Sequence, residues 1–570
     1  MKYKLLVLLL FTIAPLANYA QKIDTTAVKQ FLLIAESFLT SDSLISVTKK
    51  NDSAYAERAL SRLYLYDING ALKDIDRAIK LNPSYNNYFI RGFIHLVTDN
   101  YTLAVSDNSE SIALNPAFAP AYLNRGNAYG AIDKTDDAIA DFTAAIKEDY
   151  KYAQAWYNRG NMQLKKENYA AALNDYDQAI ILIPEMVDYY YNRAFAYKGL
   201  KDYNNAFIDF KRAAELDTIN PKYLHQVGCI KNEMQDYTGA ISIFTRCIDR
   251  WPLYQPAYTS RAYSKNRLFD FKNAIKDCTK AIELDPEDAH AYNNRGAAKC
   301  QLKDSANALF DLNRAIYLNP QFDIAYVTRA CIKSGQGKFT DALTDATMAV
   351  NINPANAEYY NLRGSLYAAL KKYESALADY NSSISINPLY YEPRRNSAML
   401  YFNTNNYKNA LYQLDTAIML EPRIGELFGK RGVLKLQMGD TTKALTDLKR
   451  AFELDSTDHN SLFFLSHIYL ATGKYAAAIF VMDKAIELQP LMPQYYTSRA
   501  YAYAKIKMNV KSIADYDKAV ELAPEDGRIY FMRGLMKDNM YDRKGCCEDL
   551  QKAQQLNYHQ APYYLNLYCK

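Results

Sequence analysis

Side-chain amides recur along this chain at a step of 34 residues: Asn124, Asn158 and Asn192, then Asn294 in the same phase. Asn127 and Asn161 each follow one helical turn after the first two. An amide offers both a donor and an acceptor, so a row of them can hold the backbone of an extended peptide. The same phase carries Gln226, Ser260, Thr328, Asn396 and Ser498. In most copies the next residue is arginine, and an aspartate stands 16 residues after it. Arg125 with Asp141, Arg159 with Asp175, Arg295 with Asp311 and Arg363 with Asp379 are four of twelve such pairs. The remaining copies lose both members together: Val227 with Ile243, Ser397 with Gln413, Leu465 with Val481. Covariation between copies inside one chain implies contact. An unpaired buried charge is costly, so partners that meet beside a core should disappear together. The spacing therefore predicts a partly buried Arg–carboxylate bridge inside each copy. An arginine row that reads an acidic ligand would lack the matched aspartates.

Other reactive residue types are sparse. The eight cysteines form no CxxC pair, and Cys247, Cys278 and Cys546 fall at apolar repeat positions, where a thiol packs as a small hydrophobe. Disulfide connectivity is open. The six histidines are dispersed; His459 and His467 are two helical turns apart, too far for a chelating pair. Gly335-Gln336-Gly337-Lys338 ends like a phosphate loop, but the first glycine of GxxxxGK would be Ile332. No nucleophile elbow or pair of catalytic carboxylates stands out. The expectation is no metal, no cofactor and no enzymatic activity.

The elements that position the amides and arginines are helical hairpins. From Ala289 to Phe322, Tyr292, Gly296 and Lys299 share one helical face, a polar turn follows, and Ala308, Leu312 and Ala315 repeat the spacing. Small residues at 296 and 308 allow close approach, and Pro320 marks the stop. The small position recurs as Gly92, Gly126, Gly160, Gly228, Gly364, Gly432 and Gly534, and the stop as Pro286, Pro354, Pro388, Pro422, Pro490 and Pro524. A 34-residue period with an aromatic, a small residue, a second alanine and a terminal proline resembles the tetratricopeptide (TPR) repeat. The resemblance implies an all-α, right-handed superhelical solenoid whose first helices line a concave groove, and it sets the amides on that groove. The amide row is similar to the asparagine ladder in the TPR superhelix of O-linked N-acetylglucosamine transferase; the transferase domain is absent. The lysine that chaperone-binding TPR domains carry two residues before the arginine is missing (Leu123, Tyr157, Tyr191, Asn293), so carboxylate-end capture is not carried over.

The organisation expected is a signal peptide at 1–20, a capping segment at 21–51, fifteen repeats over 52–560, and a truncated cap at 561–570. Lys2 and Lys4, the apolar run Leu5–Ile13 and the small Ala17 and Ala20 make a secretory leader, too short to span a bilayer. Without those two lysines the net charge falls from +5 to +3, and no basic block stands out, so no nucleic-acid partner is expected. No later segment reads as a membrane span. Many of the 51 tyrosines fall at helix starts and are read as packing. The short leader and the Tyr/Asn/Lys-rich composition point to a bacterial, exported protein, periplasmic or on the cell surface. The function expected is a non-enzymatic scaffold holding a protein or extended peptide in the groove. The alternatives are an adaptor subunit of a cell-envelope secretion or assembly complex and, disfavoured, an enzyme with an unrecognised site.

Overall fold

A computed structural model describes residues 40–45 and 48–569. The expected leader and most of the capping segment lie outside these residues. The chain divides into two units, Met1–Asp311 and Leu312–Lys570. Each unit is a run of antiparallel helical hairpins, and no strand occurs among the described residues.

In unit 1 the hairpins run from Asp52–Tyr64 with Ile68–Leu81, through Ala119–Ala131 with Thr135–Glu148, to Gln255–Arg267 with Phe271–Leu284. In unit 2 they run from Asp323–Gly335 with Phe339–Ile352 to Gly527–Asp538 with Arg543–Gln555. A single helix, Ala561–Tyr568, follows.

The small residue of the first helix is a seat for a ring. A Cβ at Gly160 would stand 2.8 Å from the Tyr176 ring, and one at Gly228 would stand 2.4 Å from the Phe244 ring. Tyr176 and Phe244, from the second helices, are fully buried there. Second helices stop where the proline rule places them. Asp285, before Pro286, has φ −140° and ψ 97°, the extended backbone that a following proline enforces.

The turn between the two helices needs one residue at positive φ. It is Asp133, Glu167 and Lys201 in unit 1 and Gly337, Gly439 and Gly473 in unit 2, always in the same phase. Gly439 has φ 83°, and a Cβ there would meet nothing within 4 Å. Gly439→Val should therefore cost about 1–2 kcal/mol through backbone conformation alone, read from the shift in a urea denaturation midpoint. The Gly335–Lys338 run is this turn, with helix on both sides, and not a phosphate cradle.

Residues 40–45 are helical and pack on the first hairpin. Ser41 is buried and donates to Glu57 at 3.2 Å, and Asp42 meets Arg58 at 2.6 Å.

Candidate functional site

Each arginine of the phase lies on a first helix and reaches its aspartate on the second. Arg125 donates from Nε and Nη2 to the two oxygens of Asp141 at 2.8 and 2.7 Å. Arg159 meets Asp175 at 2.9 and 2.7 Å, and Arg295 meets Asp311 at 2.9 and 2.8 Å. In unit 2, Arg363 meets Asp379 at 2.8 and 2.7 Å. The fork fits the carboxylate in parallel, the strongest form of this contact. Asp141, Asp175, Asp311 and Asp379 are all buried. Burial pushes the carboxyls of Asp141 and Asp175 up, and the guanidinium opposite opposes it. The carboxylate in turn holds Arg125 and Arg363 above the ordinary guanidinium range.

Three further contacts make these bridges into a lattice. The free Nη1 reaches back to the second helix of the preceding hairpin: Arg125 to Ser109, Arg159 to Thr143, Arg193 to Asp177, and in unit 2 Arg431 to Asp415. The guanidinium also stands over an aromatic ring three residues earlier, as Arg125 over Tyr122 at 5.8 Å, Arg159 over Trp156 at 4.8 Å and Arg363 over Tyr360 at 5.3 Å. Part of the tyrosine excess is thus cation–π support and not packing alone. Finally, some aspartates take a second cation one turn after the arginine. Lys299 reaches Asp311 at 2.7 Å, and Lys435 reaches Asp447 at 2.7 Å. The aromatic could have been found in the sequence, because copies that lack the arginine carry Leu224, Arg394 and Leu462 in its place. In the second of these copies Arg394 takes over part of the bridge, donating to Gln413 at 3.4 Å.

The amide row lies on the first helices of unit 1 and links hairpin to hairpin. Asn158 donates to Asn127 of the preceding hairpin at 2.7 Å and accepts from Gln154 at 2.9 Å. Asn192 donates to Asn161 at 2.9 Å and to the Tyr157 hydroxyl at 2.8 Å. Asn161 also accepts from Tyr176 at 2.8 Å. Asn124 departs from the row: it is buried, and its amide nitrogen has no partner. The Asn294 side chain donates at 3.4 Å to the Thr259 carbonyl, and its backbone carbonyl accepts from Asn266 at 2.9 Å. The sequence puts Asn158 and Asn192 in one phase and Asn127 and Asn161 one turn later; the structure adds that the half-buried pairs Asn127–Asn158 and Asn161–Asn192 are bonded across a hairpin boundary. Asn158 still has one N–H and one lone pair to offer.

The nucleophile–base contact at His225 has the wrong electrostatics for catalysis. His225 meets Ser260 at 2.9 Å and Cys229 at 3.6 Å. Burial pushes the Cys229 thiol up to about 11 and the imidazole down to about 4, so both stay neutral near pH 7. An activated thiol needs the opposite shifts. The imidazole is predicted to titrate near pH 4 by NMR. Its folded value lies below the unfolded one, so its contribution to stability is present above about pH 6.5 and fades as the pH falls toward 4. His225→Gln should flatten that part of the acid limb in thermal melts.

Cys547 and Cys569 form a disulfide between the last hairpin and the C-terminal helix. No group of three or more potential metal ligands, and no helix long and apolar enough to cross a membrane, occurs among the described residues.

Comparison with known proteins gives one family. The tetratricopeptide repeat profile matches residues 123–186, and a second profile of that description matches 187–220, 255–288, 289–322, 357–388, 459–490 and 493–526. Human tetratricopeptide repeat protein 6 is 34% identical over 85 residues, which span 15% of this chain and 16% of the relative. Among solved structures, the Cut9-Hcn1 hetero-tetramer of the APC/C is 14% identical with a TM-score of 0.48, covering 85% of this chain and 96% of that one. Yeast Tom70 is 17% identical with a TM-score of 0.38, covering 75% and 97%. A repeat protein from Parabacteroides merdae is 20% identical with a TM-score of 0.32, covering 44% and 99%.

Proposed function

We propose that this protein, built from tetratricopeptide repeats, is a non-enzymatic scaffold that holds a protein partner or an extended peptide along its first helices. The observation that carries the reading is the amide row of unit 1, in which Asn127–Asn158 and Asn161–Asn192 bond from one hairpin to the next. A row that is held rigid and keeps part of its hydrogen-bonding capacity is suited to the alternating N–H and C=O groups of an extended chain. From Asp52 to Tyr568 every described residue belongs to a hairpin, its connections or the C-terminal helix. A scaffold role needs no other module.

We further propose that the protein is exported to the periplasm or cell surface. The lysines and apolar run of the first 20 residues support this, and so does the Cys547–Cys569 disulfide, since such bonds persist in oxidising compartments.

Crosslinking mass spectrometry on the native cell envelope tests both proposals. The expected result is a partner crosslinked at the first helices of the protein, with at least tenfold less product in the Asn158→Ala/Asn192→Ala variant. Partners crosslinked only at second helices, or a protein confined to the cytosol, would count against the respective reading. Purification under the same conditions separates two forms of the scaffold. One stable stoichiometric complex means an adaptor subunit; many weak extended ligands mean a peptide receptor.

A further inference from the structure

We infer that one edge of unit 2, over its last three hairpins, is a docking surface for an anionic lipid bilayer. The surface is separate from the amide row, and the inference does not depend on the peptide-holding reading. The hairpins are His459–Ala471 with Tyr475–Leu488, Pro493–Lys505 with Asn509–Leu522, and Gly527–Asp538 with Arg543–Gln555. Each puts the turn between its helices on one edge and the loop that leads into it on the opposite edge. The turn regions 469–477, 503–511 and 537–545 hold 7 lysines and arginines against 2 aspartates. The loop regions 453–460, 487–494 and 521–528 hold 7 carboxylates against Arg528. Charge is therefore sorted by edge.

Most cations of the turn edge are uncompensated. Lys537 pairs with Asp549 at 2.8 Å, and Arg543 lies 3.9 Å from Asp538. Lys474, Lys505, Lys507, Lys511 and Lys544 are exposed and form no ion pair among the described residues. Lys505 and Lys511 stand over the rings of Tyr501 and Tyr503 at 5.2 and 5.6 Å, contacts that leave their charge in place.

Large hydrophobic side chains stand out between these lysines. Val510 is 74% exposed and Tyr541 97%, and Ile506, Met508 and Met540 are exposed as well. Tyr541 occupies the turn position of positive φ, at 65°, where unit 2 otherwise places glycine, lysine or asparagine. Left-handed backbone is uncommon for a bulky residue. The Tyr541 ring makes no hydrogen bond and no ring contact among the described residues. It costs conformational energy and gains no packing within the chain.

Single apolar tips alternating with lysines select a bilayer over other anionic partners. The tips enter the headgroup boundary while the ammonium groups stay level with the lipid phosphates. Each lysine near an anionic surface strengthens binding by about fivefold. A protein interface gathers its apolar groups into one core and is depleted in lysine. A nucleic acid would engage the lysines but offer Ile506, Met508 and Val510 nothing to enter. The acidic loops lie on the far edge, so the contact has one orientation.

The test uses the full chain and vesicles of phosphatidylcholine, alone or mixed equally with phosphatidylglycerol, read by flotation. Binding should be at least roughly tenfold tighter to the mixed vesicles. Lys505→Glu/Lys507→Glu/Lys511→Glu, all at exposed positions, should lose that gain with an unchanged melting temperature. Tyr541→Gly, which removes the ring and suits the left-handed turn, should weaken binding without lowering the melting temperature. Tyr541→Trp should add emission that brominated acyl chains quench in mixed vesicles alone. Equal binding to both kinds of vesicle would overturn the inference. So would a lysine variant that binds like the wild type, the result expected if the apolar run at 5–13 did the binding. Mixed-vesicle binding with no added quenching in Tyr541→Trp would overturn it too, because the tips would not be entering lipid. A salt-sensitive dimer lost in the lysine variant, with no vesicle binding, would assign the edge to the acidic loops of a second copy. Retention on DNA or RNA in place of vesicles would assign it to nucleic acid. Either result overturns the bilayer.

Discussion

Arg363→Leu should destabilise its hairpin by about 3–5 kcal/mol, because it leaves the Asp379 carboxylate buried with no counter-charge. Asp379 is 6% exposed, and its two recorded hydrogen bonds both come from Arg363. Arg295→Leu is the informative contrast. Asp311 is fully buried, yet it keeps Lys299 at 2.7 Å when the arginine goes. The loss there should be clearly smaller than at Arg363, although Asp311 is the more buried of the two carboxylates. Removing the acid reverses the order: Asp311→Ile strands two cations, and Asp379→Ile strands one. The double variant Arg363→Leu/Asp379→Ile should recover much of the single loss, because isosteric apolar pairs often replace buried ion pairs at little cost. A repeat array adds local and neighbour contributions, so the readout should be local: hydrogen exchange over 357–386, alongside a urea titration. Equal losses for Arg295→Leu and Arg363→Leu would mean that the second cation does no shielding. A double variant as weak as the single would mean that packing of the arginine stem, and not its charge, sets the cost.

The reason this contrast could not be designed from sequence shows what a repeat makes legible. Copies inside one chain act as an internal alignment. The loss of Val227 with Ile243, Ser397 with Gln413 and Leu465 with Val481 points to the arginine–aspartate contact before any coordinates. The hairpins follow for the same reason, since each glycine, alanine and proline of the phase is seen many times. What varies between copies stays hidden. The backward arm of the arginine ends on Ser109, Thr143, Asp177 or Asp415, four acceptors of three residue types, so no single letter announces it. The ring under the guanidinium was visible but ambiguous, because a tyrosine at a helix start serves packing equally well. The recurrence of the amides is visible as letters, but a period says nothing about burial. Only coordinates separate Asn124, buried with an unpartnered nitrogen, from Asn158, half-buried and bonded to Asn127.

Reduction of the Cys547–Cys569 disulfide should speed amide exchange in the C-terminal helix by roughly a hundredfold, which corresponds to about 3 kcal/mol. The two cysteines are 22 residues apart, and closing a loop of that length removes about this much chain entropy from the opened state. The helix Ala561–Tyr568 has few other anchors. Ala561 is buried, Tyr564 packs edge-on against Phe531 at 5.0 Å, and Arg543 donates to the Tyr568 carbonyl at 2.8 Å. A helix of eight residues is marginal without tertiary support, so removing the covalent tie should let it open while the hairpin beneath stays folded. Exchange should then rise over 561–568 first, and next at Phe531 and Leu550, whose apolar surface the helix covers. Cys569→Ser should match the reduced wild type and should not respond to dithiothreitol. The neighbouring Cys546 is fully buried in the hairpin core, and its thiol should stay unlabelled by iodoacetamide in both forms. If exchange over 561–568 is the same with and without the bond, the ring packing and the Arg543 contact hold the helix unaided. The disulfide would then be a marker of compartment and not a structural clamp.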